Sequence, residues 1–225
     1  MKHCIVNFSD GGFKNGQDRL AQSLKDFNYQ GDVILFNYFE QVGSKPHLEV
    51  PYQFKVYAIE KVRQMGYDVV LYCDASLYAI KDVMPIIYYI IEKGHLMEFC
   101  GFSAGQFSTD ICLSKFELTR DEAMNIGLHS AGFTGLNFQN EKASEFFDKW
   151  LQSAKEEISF CGDWNNNEKQ CSDDDRCLGH RHDQTTASII AYQLEMERIN
   201  PHFMQYQYDG VETKSDTIFN CRGIC

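Results

Sequence analysis

The chain has 225 residues, 44% hydrophobic and 14% aromatic, which is enough to close a core and excludes a disordered or low-complexity protein. Its formal charge is −11 and no basic run breaks the acidic balance, so a nucleic-acid partner held through counterion release is excluded. No apolar stretch approaches the roughly 20 residues that cross a bilayer, and the longest, 83–91, is interrupted by Pro85.

Taken in chain order, residues 3–8 read as a first strand, with Ser9-Asp10-Gly11-Gly12 as a turn at its carboxyl end. Leu20, Ala21, Leu24 and Phe27 then recur at helical spacing, and residues 32–36 form a second strand. Pro51 suits the first turn of a helix whose apolar stripe is Phe54, Ala58, Val62 and Met65. Gly66 closes that helix before a third strand, 68–73. Next come a helix over 84–92, a strand over 98–102, and a short helix headed by the capping box Thr119 and Glu122. Strand, turn and strand are expected over 130–138, with Ser130-Ala131-Gly132-Phe133 as the turn. A helix that buries Phe146, Phe147, Trp150, Leu151 and Ala154 follows. Residues 161–182 lack apolar period and read as a long polar loop. A helix over 182–196 and short strands over 202–206 and 217–219 complete the chain.

Alternating strands and helices through the first hundred residues predict an α/β fold, a mixed, mostly parallel sheet flanked by helices. The expected organisation is a single domain over 1–225, with a nucleotide-binding half (1–110) and an acceptor-binding half (111–225). Neither a Gly-x-Gly-x-x-Gly turn nor a Gly-Lys-Ser/Thr loop is present, so dinucleotide and P-loop sites lack their signatures.

The stretch Tyr67-Asp68-Val69-Val70-Leu71-Tyr72-Cys73-Asp74-Ala75-Ser76 carries the most chemistry. A buried apolar strand stops abruptly at Asp74 and so delivers a carboxylate to the edge of the sheet where α/β proteins bind ligands. An Asp at a strand end is most often only a cap. Two neighbours count against that reading here. Lys55, in the preceding helix, brings a cation to the same edge, and the small residues around Gly132 allow backbone to approach a ligand. A second constellation is Gly179-His180-Arg181-His182-Asp183-Gln184, where two imidazoles, a guanidinium and a carboxylate converge on a helix N-terminus that also favours anions.

In their order along the chain, Ser9 to Gly12, Asp74 to Ser76, Ala131 to Gly135 and His182-Asp183-Gln184 resemble the GT-A-fold glycosyltransferases, in the small form found in microbes and large viruses. The resemblance spans nearly the whole chain through short motifs. It implies transfer of a sugar from a nucleoside-diphosphate donor to a hydroxyl acceptor on a glycan, lipid or protein glycan, with hexosyl or pentosyl transfer both open. On this resemblance Phe8, Ser9, Asp10, Gly11, Lys55, Asp74, Ala75, Ser76 and Arg181 would bind the donor. Gly132 and Gln184 would meet the sugar or acceptor, and Asp183, with His182, would do the acid–base work. Asp74 and His202 would hold Mn²⁺ or Mg²⁺. One departure bears on the metal: the second carboxylate of the family's Asp-x-Asp is Ser76 here, a weak ligand for a hard dication. Either Asp74 alone supplies the protein carboxylate, or Lys55 or Arg181 offsets the diphosphate charge.

Cys161, Cys171 and Cys177, around Asp173-Asp174-Asp175, lack the paired spacing of a zinc site and the alternation of an EF-hand loop. Nine cysteines, several inside apolar strands, and an N-terminus that starts directly on a strand lead to the expectation of a reduced, cytoplasmic protein, in the host cytoplasm if viral. Rival readings are an α/β phosphohydrolase, a nucleotidyltransferase, and a nucleotide-sugar-binding protein without turnover. The first would carry Asp-x-Asp in its first strand, where this chain has Asn7-Phe8-Ser9-Asp10.

Overall fold

The computed structural model describes residues 1–199, 202–208 and 210–222. In chain order the elements are β1 (His3–Phe8), α1 (Lys14–Asp26), β2 (Asp32–Phe36), α2 (Phe39–Val42), α3 (Gln53–Gln64), β3 (Val69–Cys73), β4 (Leu77–Ala79) and α4 (Met84–Lys93). They continue with β5 (His95–Ser103), α5 (Asp110–Lys115), α6 (Arg120–Ala123), β6 (Gly127–Asn137), α7 (Glu141–Glu156), α8 (His182–Gln193), β7 (Met204–Tyr206) and β8 (Phe219–Cys221).

A five-stranded sheet in the order β2-β1-β3-β6-β5 forms the centre. β1 runs parallel to β2 and β3, while β6 is antiparallel to both its neighbours, so β6 alone is reversed. The alternation within each strand decides which helices cover which face. Cys4, Val6, Val70 and Tyr72 pack with Val56, Ile59, Phe146 and Trp150 of α3 and α7. Ile5, Leu71 and Cys73 pack on the other face with Leu20, Leu24, Ile86 and Ile90 of α1 and α4. Strands covered on both faces must be apolar throughout, and β3 is buried at every position. Each fully buried Phe, Ile or Leu here contributes about 1.5–3 kcal/mol.

A second sheet, β4-β8-β7, sits beside α1, where the Ser23 hydroxyl accepts from the Ala79 amide at 2.9 Å. Asn7, fully buried, ties the sheet together where the ligand edge begins. Its Nδ2 donates to Cys73 O at 2.6 Å, and Gln17 Nε2 donates to Asn7 Oδ1 at 3.0 Å and Phe36 O at 3.1 Å. One polar pair thus registers the carboxyl ends of β1, β2 and β3.

Several expectations are corrected. Residues 130–133 are not a turn but lie inside the continuous strand β6. The helix after Pro51 starts at Gln53, because Tyr52 takes a left-handed backbone (φ 60°), and Met65 is 47% exposed rather than part of the stripe. α8 ends at Gln193 and not at 196, with Glu195 in a positive-φ turn. β4, α2 and α5 were not expected from sequence. All eight described cysteines are free. Among the described residues, no helix is long and apolar enough to cross a membrane.

Candidate active site

β3 places Asp74 where its apolar run stops. The Asp74 amide donates to Gly132 O at 2.8 Å, and the Leu77 amide donates back to Asp74 O at 3.0 Å, so residues 74–77 form a tight turn over β6. Gly132 is required by this approach, since a Cβ built there would overlap the Asp74 carboxylate. Gly16 does the same service from α1, lying directly on the Ala75 carbonyl. We expect Gly132→Ala to fold, because β6 backbone tolerates alanine, but to push Asp74 out of place. Ligand affinity at Asp74 should fall by tenfold or more with little change in melting temperature, as calorimetry against nucleoside diphosphates would reveal.

Lys55, buried in α3, reaches Asp74 from below. Its Nζ is 3.2 Å from both Asp74 oxygens and 3.5 Å from Asp183 Oδ2 at the head of α8. The rings of Tyr52 (4.7 Å) and Tyr72 (5.7 Å) flank the ammonium. Burial alone would lower the Lys55 pKa, but the carboxylates of Asp183 and Asp74 outweigh it and raise it. Asp183 is pushed up to about 6, first by burial and then by Asp74, against the opposing pull of Lys55. One ammonium facing two carboxylates leaves this floor with residual negative charge.

Two chambers meet at this triad. One, of about 190 Å³, is walled by Gly132, Trp164, Arg181, Gln184, Met204 and Tyr206. The other, of about 250 Å³, opens over the end of β1 between Phe8, Ser9, Asp10, His47 and Phe54. Tyr52, Lys55, Asp74 and Ser76 border both. Gln184 donates from Nε2 to His129 O (2.9 Å) and Cys100 Sγ (3.2 Å), which leaves its amide oxygen for a ligand. Ser76 Oγ accepts from Cys221 Sγ at 3.4 Å, and Arg19 donates to Ser76 O at 3.0 Å.

The sequence-derived candidates divide accordingly. Phe8, Ser9, Asp10, Lys55, Asp74, Ala75, Ser76, Gly132, Arg181, Asp183 and Gln184 come together at the two chambers. Gly11 is not among the lining residues; it is exposed in a 3₁₀ turn over Gly11–Phe13 at the rim of the second chamber. His182 lies behind the wall. Its Nδ1 meets Phe160 O at 2.9 Å, its ring packs against Tyr52 and Trp164, and burial lowers its pKa to about 4. His202 is also elsewhere, with both ring nitrogens 3.1–3.3 Å from Lys214 Nζ. Sequence reasoning missed Trp164, His47 and Tyr206, and it marked Tyr52 only as the residue that opens the Lys55 helix. Tyr52 (φ 60°) and His182 (φ 45°) face each other with strained backbones, and strain of that kind gathers at functional sites.

No protein-family profile matches this chain, and no curated protein matches it by sequence. Solved structures do. The apo form of mouse xyloside xylosyltransferase 1 superposes with a TM-score of 0.53 at 11% identity, over 100% of this chain and 98% of that one. The apo structure of the bifunctional glycosyltransferase WbbM superposes with a TM-score of 0.53 at 11% identity, over 91% of this chain and 40% of that one. The chain therefore shares the GT-A-like fold of these structures, a mixed, mostly parallel sheet flanked by helices.

Proposed function

We propose that this protein transfers a hexosyl or pentosyl group from a nucleoside-diphosphate sugar to a hydroxyl acceptor. The observation that carries this reading is the Asp74–Lys55–Asp183 triad at the junction of two chambers, on the carboxyl edge of the parallel strands. Open α/β sheets bind ligands outside the carboxyl ends of their strands, and the fold is shared with glycosyltransferases. The nucleoside would lie over Phe8, Ser9 and Asp10. The diphosphate would lie at Asp74, with Arg181 as its protein cation, and the acceptor would enter beside Gln184. Asp183, near neutral in its affinity for a proton, would orient the acceptor hydroxyl or take its proton.

The fold also implies Mn²⁺ or Mg²⁺, and the donor set supports a cation that binds together with the substrate. Asp74 is a half-buried carboxylate at a negatively charged floor, bordering both chambers. Ser76 adds a hydroxyl. Among the described residues, no three His, Cys, Asp or Glu side chains converge, so diphosphate oxygens would complete the shell. Such a cation, when bound, would offset the charge of the departing diphosphate. A nucleotide-sugar-binding protein without turnover is the second reading, favoured by Ser76 in place of a carboxylate.

The test is a thermal-shift panel of UDP, GDP, CDP and TDP with EDTA, Mg²⁺ or Mn²⁺, on wild type and Asp74→Ala. One diphosphate at a hundred times its Kd should stabilise the wild type by about 2.7 kcal/mol and leave Asp74→Ala unmoved. Metal alone should give no shift. A donor sugar that binds but is neither hydrolysed nor transferred would support the second reading, and no shift with any nucleotide would sink both.

A further inference from the structure

We propose that an oligosaccharide acceptor extends beyond the reaction cleft, along a track from Trp164 past Arg181 and across the exposed Phe102 to a groove at Phe99. This rests on the glycosyl-transfer reading and names the acceptor for it.

Cleft and groove lie on neighbouring stretches of surface, linked through Phe107, which is itself buried beneath them. The Arg181 guanidinium carbon lies 3.8 Å from the Trp164 ring centre and 4.1 Å from that of Phe107. Phe107 meets Phe102 edge to face, with ring centres 5.3 Å apart. Phe102 and Phe99 both border an open groove of about 670 Å³, beside Gln106, Asn125 and Arg198. Cys100, between the two phenylalanines, joins this groove to the cleft through its 3.2 Å contact with Gln184.

Two phenyl rings stand exposed there, Phe99 at 43% and Phe102 at 50%. The backbone turns them outward, because β5 loses register with β6 between Met97 and Phe99 and again before Ser103, with Gly101 at φ 88° between. Bulges of this kind are found beside active sites, where they re-aim side chains.

The chemistry around the rings suits a saccharide. Gln106 spends its Oε1 on the Ser103 amide (3.0 Å), which leaves an amide donor, and Asn125 spends its Nδ2 on Asp121 O (3.0 Å), which leaves a carbonyl acceptor. A sugar ring offers a C–H face for the phenyl rings and hydroxyls that both give and take hydrogen bonds. A lipid chain would need an unbroken apolar groove, and this one is interrupted by Gln106, Asn125 and Arg198. A nucleic acid would need clustered cations, whereas this chain carries −11.

The test is a titration of mono-, di- and trisaccharides of glucose, xylose and N-acetylglucosamine, followed by tryptophan emission. Trp164 is 48% exposed at the head of the track, and the other tryptophan, Trp150, is sealed in the core. Wild type should bind one trisaccharide roughly tenfold more tightly than its monosaccharide. Phe102→Ala should lose that gain and keep monosaccharide affinity, and Phe102→Tyr should retain it. Equal affinity at every length, no binding across the panel, or a gain that survives Phe102→Ala would overturn the track. Donor turnover, measured in parallel, separates the two claims. Hydrolysis or transfer with no length dependence leaves transfer standing without the track. Length-dependent binding with no turnover leaves the track standing without transfer.

Discussion

Replacing Lys55 with methionine should destabilise the protein by about 3–5 kcal/mol at pH 8, the cost of removing one partner from a buried ionic cluster. Methionine fills the volume of the aliphatic stem, so the loss is electrostatic rather than a cavity. Asp183, nearly inaccessible, would then face Asp74 with no cation between them. The loss should shrink towards pH 5. In the wild type, burial and Asp74 already hold Asp183 at about 6, above its ordinary 3.8. A carboxyl raised in this way favours the fold below its unfolded value and loses that favour as pH rises through the folded one. Without Lys55 the folded value rises further, so protonation relieves the variant more than the wild type. Urea unfolding at both pH values measures this, and Lys55→Met/Asp183→Asn should recover most of the stability at pH 8 without recovering nucleotide affinity. A single variant within 1 kcal/mol of wild type at pH 8, or a double variant no more stable than the single, would refute the coupling.

The triad also shows what the sequence could and could not disclose. Asp74 was legible because a buried strand must be apolar, so the first carboxylate after Val69–Cys73 marks the edge of the sheet. Lys55 and Asp183 were legible as charges at helix positions, yet nothing in the spacing states that 128 residues of chain return Asp183 to within 3.5 Å of Lys55. The glycines of β6 look like turn residues in the sequence, although the strand runs unbroken over Gly127–Asn137. Gly132 is there for Asp74, and Gly135 is there for Ile90, each at a point where a Cβ would collide. Close packing rather than chain reversal put them in the strand. β4 exists only because it pairs with β8 across 140 residues, and no local pattern announces that. Trp164 belongs to a loop without period, and its role depends on the stacking of Arg181 and His182 against it.

Glu98→Gln should raise stability by about 3 kcal/mol at pH 7 and leave it nearly unchanged at pH 4.5. Glu98 is 4% exposed on β5, and no ion pair reaches its carboxylate among the described residues. Its Oε1 accepts from the Met204 amide at 3.2 Å and so fastens β7, one wall of the cleft, to the sheet. Burial pushes its pKa up to about 8, against the lowering effect of backbone hydrogen bonds from Met204 and Phe203. The folded value lies above the unfolded 4.5, so the favourable contribution is complete below pH 4.5 and is lost as pH rises through 8. Glutamine keeps the carbonyl that accepts from Met204 and removes the charge that the fold resists. At 225 residues each kcal/mol moves the melting temperature by about 2–4 °C, so the variant should melt roughly 6–12 °C higher at pH 7. The difference should widen towards pH 9 and close at pH 4.5. A gap independent of pH would mean that the glutamine acts through packing, and a lower melting temperature at pH 8 would mean that Glu98 is ionised and held by a partner. Function gives the expectation its second reading. If ionised Glu98 loosens β7, nucleotide and acceptor affinity in the wild type should weaken above pH 8, and Glu98→Gln should remove that weakening.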